Sequence, residues 1–218
     1  MNIPLSPRLK ACCAFLTPGE RVADVGTDHG YLGIWLLKQG IAPSVIASDI
    51  GQGPLSAARA NAERFGCTDK MEFCLSDGVE NIPRDFDTLV IAGMGAHTMV
   101  HILENAPWLQ DRRYRLVLQC QNKTHLLRAF LSQRGWRIPR ERIVRDGRFL
   151  YCVLEAVYQP GHSLTTGQCW LSPALLSCGS PDLAEYTDRT LRTLRKAVLG
   201  DPSLLPALQE LEKERRTP

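Results

Sequence analysis

Three carboxylate-bearing stretches carry the chemistry that can be read from this chain: Asp24-Val25-Gly26-Thr27-Asp28-His29-Gly30, Asp49-Ile50 and Asp77-Gly78. Each follows a short apolar run, so each carboxylate stands where a strand would end. A glycine turn after a strand lets a ligand approach the backbone closely. A dinucleotide fingerprint would need glycine at positions 26, 28 and 31, whereas this chain has Asp28 and Tyr31. The missing glycine removes close approach to a pyrophosphate, and the Asp28 carboxylate would repel one. An acidic loop suits a cationic or zwitterionic ligand instead, such as the amino-acid end of S-adenosylmethionine. Asp49 is placed to accept both ribose hydroxyls of an adenosine, and Asp77 to accept from an adenine amino group. A lone loop aspartate is most often a helix cap. Three at the ends of consecutive strands define one crevice, and together they read as a cofactor site.

Two further stretches would face the same crevice. In Ala92-Gly93-Met94-Gly95-Ala96-His97 the glycines fit a tight turn, and they equally form a small-residue floor over which a flat base can reach a methyl donor. Gln119-Cys120-Gln121-Asn122 offers amides able to hydrogen-bond a base edge, although such amides are also good loop formers. His29 reads as a site histidine oriented by Asp28. His97, His101, His125 and His162 read as surface or helix-face residues, and no pair of them has metal-ligand spacing with a third ligand. The eight cysteines are scattered, with no C-x-x-C, and Cys120 and Cys152 sit in apolar runs as small hydrophobes.

The elements that must position these residues alternate. A capped helix begins at Ser6-Pro7 and ends by Thr17-Pro18-Gly19. Strands are expected over 21–25, 44–48, 71–75, 88–92 and 115–119, with helices over 31–39, 54–65, 98–104 and 124–134 between them. Strands over 136–144 and 149–158 flank the Asp146-Gly147 turn as a hairpin. This order predicts an α/β fold: a mostly parallel, Rossmann-like sheet with a C-terminal antiparallel strand pair, as in class I methyltransferases. Helices over 182–199 and 204–211 form a hairpin. The expected domains are a methyltransferase domain over 1–158, a linker over 159–169 and a small helical hairpin over 170–218.

The 218 residues are 44% hydrophobic and 22% charged, which argues against a disordered, collagen-like or membrane-spanning chain. With no apolar targeting segment at its start, the chain is expected in the cytoplasm. Net charge is only +3, yet from Asp111 to Arg148 eleven basic residues stand against three acidic ones. Such a surplus near the substrate loop favours phosphate contact, and makes Arg112, Arg113, Lys123, Arg128 and Arg145 candidate RNA contacts. Arg192, Arg195 and Lys196, clustered on one helix of the hairpin, join them.

Along these residues the chain resembles the bacterial TrmK-type tRNA (adenine-22, N1)-methyltransferases. The resemblance runs through SPRL near residue 6, VADVGTDHGYL from 22 to 32, ASDIGQGPLSAARANAERFG from 47 to 66 and LSDGVENI from 75 to 82. It continues in IAGMGAHTM from 91 to 99, LVLQCQN from 116 to 122, LLRAFLSQRGWRI and the closing VRDGRFLYCVLEA. It implies S-adenosyl-L-methionine as cofactor, tRNA as substrate and methyl transfer to N1 of an adenine in the D-loop region. The cofactor site expected on these grounds comprises Asp24, Gly26, Thr27, Asp28, Gly30, Asp49, Ile50, Asp77, Gly78 and Gly93. The catalytic set is Asp28, His29, Met94 and Gln121, with Met94 and Gly95 beside the target adenine. The base becomes cationic as N1 takes the methyl, so a nearby carboxylate would stabilise it, Asp28 first and His29 second. Two positions depart from the family pattern: Ala96 ends GMGA where GMGG is usual, and Gln119-Cys120-Gln121 stands where QPN is usual. A catalytically weak RNA-binding module and a small-molecule methyltransferase are the alternative functions. No metal and no membrane contact are expected, and the oligomeric state stays open between a monomer and a weak dimer.

Overall fold

The computed structural model describes residues 3–214; positions 1–2 and 215–218, the outer ends of the first and last expected domains, lie outside the described residues. In chain order it holds α1 (Pro7–Cys13), β1 (Val22–Val25), α2 (Tyr31–Lys38), β2 (Val45–Asp49), α3 (Gln52–Arg64), β3 (Met71–Leu75) and β4 (Thr88–Met94). Then come α4 (Ala96–Glu104), β5 (Arg115–Cys120), α5 (Thr124–Gln133), β6 (Trp136–Asp146) and β7 (Phe149–Tyr158). The chain continues as α6 (Thr166–Trp170), α7 (Pro173–Leu176), α8 (Leu183–Gly200) and α9 (Leu205–Glu214). Pro7 and the Ser6 cap start α1 as expected, the Ser6 hydroxyl accepting from the Leu9 N–H.

The strands form one sheet in the order β3-β2-β1-β4-β5-β7-β6, parallel from β3 to β5 and antiparallel where β7 joins β5 and β6. Side chains alternate between its faces, which explains why the central strands are apolar throughout. Ala23, Leu89, Leu116 and Leu118 pack with Met99, Ile102, Leu127 and Leu131 of α4 and α5 on one face. Val22, Val90, Val117 and Val153 pack with Cys12, Ile34, Leu36 and Ala62 of α1, α2 and α3 on the other. Both faces being covered, the carboxyl edge of β1, β2, β4 and β5 is where polar side chains can gather around a ligand.

The expected linker turns helical at Thr166. Thr165 caps α6 in a reciprocal box with Gln168, a local signal that overrides the loop-forming composition around it. The two expected C-terminal helices form as α8 and α9, and with α6 and α7 they pack on the sheet. Trp170, Leu171 and Leu175 join Leu191, Leu194, Ala207 and Leu211 in a third apolar cluster that includes Ile143 of β6 and Cys152 of β7.

Gly30 ends the turn into α2 with φ +72°, and a Cβ there would lie 3.0 Å from Ala58 Cβ and 3.3 Å from Ala58 Cα in α3. No flexible tip is available to move aside. Gly30→Ala is expected to cost about 2 kcal/mol through left-handed strain and separation of α2 from α3, read as a lowered Tm in thermal unfolding.

Candidate cofactor and active site

A cavity of about 560 Å³ opens at the carboxyl edge of the sheet. Its wall begins with the loop after β1, where Gly26 and Asp28 take φ +73° and +51°. That conformation costs Asp28 strain that glycine would avoid, and the Asp28 N–H is held in it by Asp49 Oδ2 at 3.1 Å. The Gly26 and Thr27 N–H groups both donate to the Ser48 carbonyl at 2.9 Å, and the Gly30 N–H donates to the Thr27 carbonyl. With these donors turned inward the loop forms no phosphate nest, in agreement with the missing dinucleotide glycine. A Cβ on Gly26 would lie 2.3 Å from Met94 Cε, so bare backbone here lets the methionine fold over the loop.

Asp24, Asp28, Asp49 and Asp77 all line this cavity, as do Gly26, Thr27, His29, Ile50, Gly78, Gly93, Met94 and Gln121. Asp49 is fixed by accepting the Gly51 N–H on Oδ1 at 2.9 Å, and keeps lone pairs for a ligand hydroxyl. Ile50 is 70% exposed on the lip, an apolar surface suited to a flat ring. His29 Nε2 is 3.7 Å from Asp28 Oδ1, with both side chains largely in water, so Asp28 orients it only loosely. Gly30 does not line the cavity: its close contact with Ala58 gives it a packing role instead of the expected cofactor contact.

Asp24 lies buried beneath the loop and accepts from the Thr27 hydroxyl at 2.7 Å. Burial pushes its carboxyl up to about 6; the Thr27 hydrogen bond works against this shift, and Asp49 adds to it. Because the folded chain holds this proton more tightly than the unfolded one, stability is greatest below the ordinary carboxylate range and falls as pH rises through 6. Asp24→Asn is expected to remove that fall and to raise stability above pH 7 by on the order of 2 kcal/mol, measured as denaturation midpoint against pH. A cationic ligand favours the ionised carboxyl, so ligand affinity should rise from pH 5 to 7 in the native chain and stay flat in the variant.

The floor is built by β4 and β5. Gly93 is the extra residue of a bulge between Ala92 and Met94, with φ +81°, and its N–H donates to Gln119 Oε1 at 3.1 Å. Gly93 therefore belongs to a bulged strand end, and Gly95 is the N-cap residue of α4, in place of the tight turn that was the alternative. The space over Gly93 lies between Gln121 Nε2 and Arg8 Nη1, 3.8 and 4.0 Å from where a Cβ would stand. Arg8 is the site residue that sequence reasoning missed. It leaves α1 to bond Asp146 at 2.9 Å in the β6–β7 turn and Gln119 Oε1 at 3.4 Å, and only these long-range partners reveal its place. Of the residues that depart from the family pattern, Gln121 faces this floor while Ala96 and Cys120 stay off it. Ala96 is fully buried, and Cys120 Sγ turns to the Asn122 carbonyl at 2.9 Å, leaving Gln121 to face the cavity.

Most of the basic surplus is compensated by folding. Arg128 is a correction: it is buried, bonded to Glu141 at 2.7 Å and to the Cys169 and Trp170 carbonyls, because it fastens α6 to the sheet. Arg145 pairs with Asp182 at 2.5 Å and Glu185 at 2.6 Å, and Arg195 with Glu212 at 2.8 Å, so neither offers a free charge to RNA. Arg112 and Arg113 precede β5 and so sit at the amino edge of the strands, away from the crevice; Arg113 also lies over the Tyr114 ring. Lys123 stands by the cavity-facing loop, while Arg192 and Lys196 are exposed on α8. His125 is another correction, since it lies flat on Trp170 with ring centroids 3.7 Å apart instead of facing solvent.

A parallel sheet with an acidic, glycine-turned crevice at its carboxyl edge and a base-sized floor beyond it defines a class I methyltransferase domain. The model of the family described as "Methyltransferase domain" matches residues 5–154. The tRNA (adenine(22)-N(1))-methyltransferase of Bacillus subtilis is 30% identical over 156 residues, which are 71% of this chain and 66% of that protein's length. The structure of Streptococcus pneumoniae Sp1610 in complex with S-adenosyl-L-methionine superposes with a TM-score of 0.85 at 27% identity, covering 96% of this chain and 98% of that one. The Bacillus subtilis M1A22 tRNA methyltransferase TrmK, at 24% identity, shares the fold with a TM-score of 0.82, covering 98% of this chain and 96% of that one. The chain belongs to the TrmK-type tRNA (adenine-22, N1)-methyltransferase family.

Proposed function

We propose that the protein transfers a methyl group from S-adenosyl-L-methionine to N1 of an adenine in tRNA, at position 22 in the D-loop region. The observation that carries this reading is the pairing of a carboxylate-lined cofactor crevice with an open floor at Gly93 flanked by the Gln121 amide and the Arg8 guanidinium. The names of the relatives support the substrate, and the residues present fit the cofactor. Asp49 would accept the ribose hydroxyls, Asp77 the adenine amino group, and Ile50 would cover the ring. Asp24 and Asp28 would face the amino-acid end.

When bound, S-adenosyl-L-methionine supplies a methyl already activated on a sulfonium. Adenine N1 is a free lone pair, so the protein needs no general base and its contribution is placement. Gly93 leaves room for the base, while Gln121 and Arg8 present polar groups at its edge. The positive charge that develops on the ring is offset by the surrounding carboxylates, with Asp28 the most exposed to it. Asp146, paired with Arg8, keeps the guanidinium from opposing that charge. A base held in a helix hides N1, so the target enters unpaired or flipped out. Incubation with labelled S-adenosyl-L-methionine and unmodified tRNA should move label into RNA; label found in no tRNA would refute the proposal.

A further inference from the structure

A second groove of about 240 Å³ adjoins the crevice and shares Gln121 with it. It runs between the loop after β5 and the first half of α8, and Tyr151, which lines it, lies 5.3 Å beneath the Arg8 guanidinium that lines the crevice. The groove therefore starts where the floor for the target base ends. Its walls combine aromatic rings, cations and hydroxyls from both parts of the chain: His125 and Tyr151, Lys123 and Arg189, Thr190 and Thr193.

The state of these groups decides what they can recognise. His125 lies on Trp170 with only 7° between the ring planes. Burial, then Arg128 and Lys123, lower its pKa to about 4, so at neutral pH it is an uncharged stacking surface. Lys123 has left-handed backbone, φ +54°, and lines the groove, its ammonium 3.3 Å from His97 Nε2 and with no carboxylate partner among the described residues. Arg189 is tethered by Glu185 at 2.5 Å and by the Arg148 carbonyl. Flat uncharged rings beside a free cation suit a nucleotide, whose base stacks and whose phosphate needs a counter-charge.

We propose that this groove is a second nucleotide subsite, which takes the base adjoining the target adenine against the His125 ring and its phosphate at Lys123. This rests on the tRNA reading above. The subsite couples the C-terminal helices to catalysis: α8 supplies one wall, so docking those helices on the sheet completes the substrate surface. It also gives the enzyme a way to select sequence around the target without touching N1.

The test uses tRNA transcripts carrying an abasic residue on either side of the target, with the native chain, His125→Ala and His125→Phe. In the native chain one abasic position should raise KM for tRNA about tenfold with kcat unchanged. His125→Ala should raise KM for intact tRNA about tenfold and become indifferent to that abasic position, while His125→Phe keeps the native pattern. Affinity for S-adenosyl-L-methionine should be equal in all three. An abasic penalty that persists in His125→Ala, or an unchanged KM, would overturn the subsite. Should His125→Ala fail to bind cofactor, and so to fold, Lys123→Ala carries the test, its salt dependence of tRNA binding falling by about one unit of slope or, if the proposal is wrong, staying put. Native protein that methylates no tRNA overturns the function reading itself, an outcome distinct from these.

Discussion

Replacing Arg128 by alanine is expected to destabilise the chain by about 3–5 kcal/mol, more than any other single change considered. The guanidinium is almost fully enclosed, and Glu141 beside it is equally buried. Burial works against the charge, but Glu141 more than compensates and keeps the group protonated. Removing the cation leaves the Glu141 carboxylate buried with the Ser172 hydroxyl and the Cys152 thiol as its remaining donors among the described residues. It also frees the Cys169 and Trp170 carbonyls, which sit at the end of α6 where no helical donor reaches them. Arg128→Lys should recover only part of the loss, since an ammonium cannot fork between a carboxylate and two carbonyls. Denaturant unfolding measures this directly. Were Arg128 an RNA contact, as its place in the basic stretch implies, the variant would keep native stability and lose only tRNA affinity.

Asp49→Ala is expected to weaken cofactor binding about 100-fold, corresponding to about 3 kcal/mol. Two losses combine. The carboxylate would no longer pair with ribose hydroxyls, and it would no longer hold the N–H groups of Asp28 and Gly51 at 3.1 and 2.9 Å. Freed from Asp49, the strained Asp28 backbone relaxes, and the loop that faces the amino-acid end loses its shape. Asp49→Asn, which keeps one acceptor oxygen, should fall about tenfold. Equilibrium titration with S-adenosyl-L-methionine distinguishes these outcomes, and an affinity within about threefold of native in Asp49→Ala would remove Asp49 from the site.

Much of this architecture is legible locally. Asp24, Asp49 and Asp77 end apolar stretches, and a carboxylate after such a run marks a strand's carboxyl edge whatever the rest of the chain does. The hairpin at Asp146-Gly147 is equally local, and its strands pair through that turn. Charge is less legible, because a run of like charge lies along the chain whereas ion pairs form across it. Arg115 meets Glu20 and Glu155, Arg140 meets Glu155, and Arg145 meets Asp182 and Glu185, partners outside the basic stretch. Arg8 lies in the SPRL stretch, but its role is not legible there for the same reason: it is set by Asp146, 138 residues away. Gly93 shows the same limit on a shorter scale. A bulge depends on the neighbouring strand, so Gly93 could be read as flexible from its own segment but not as part of β4.

The most direct test of the account is nucleoside analysis of unmodified tRNA after reaction with the native chain and S-adenosyl-L-methionine. Digestion and mass spectrometry should find 1-methyladenosine at a single D-loop adenine, absent when that base is replaced by guanine. Methylation at another atom or another base, or none in RNA at all, would contradict it.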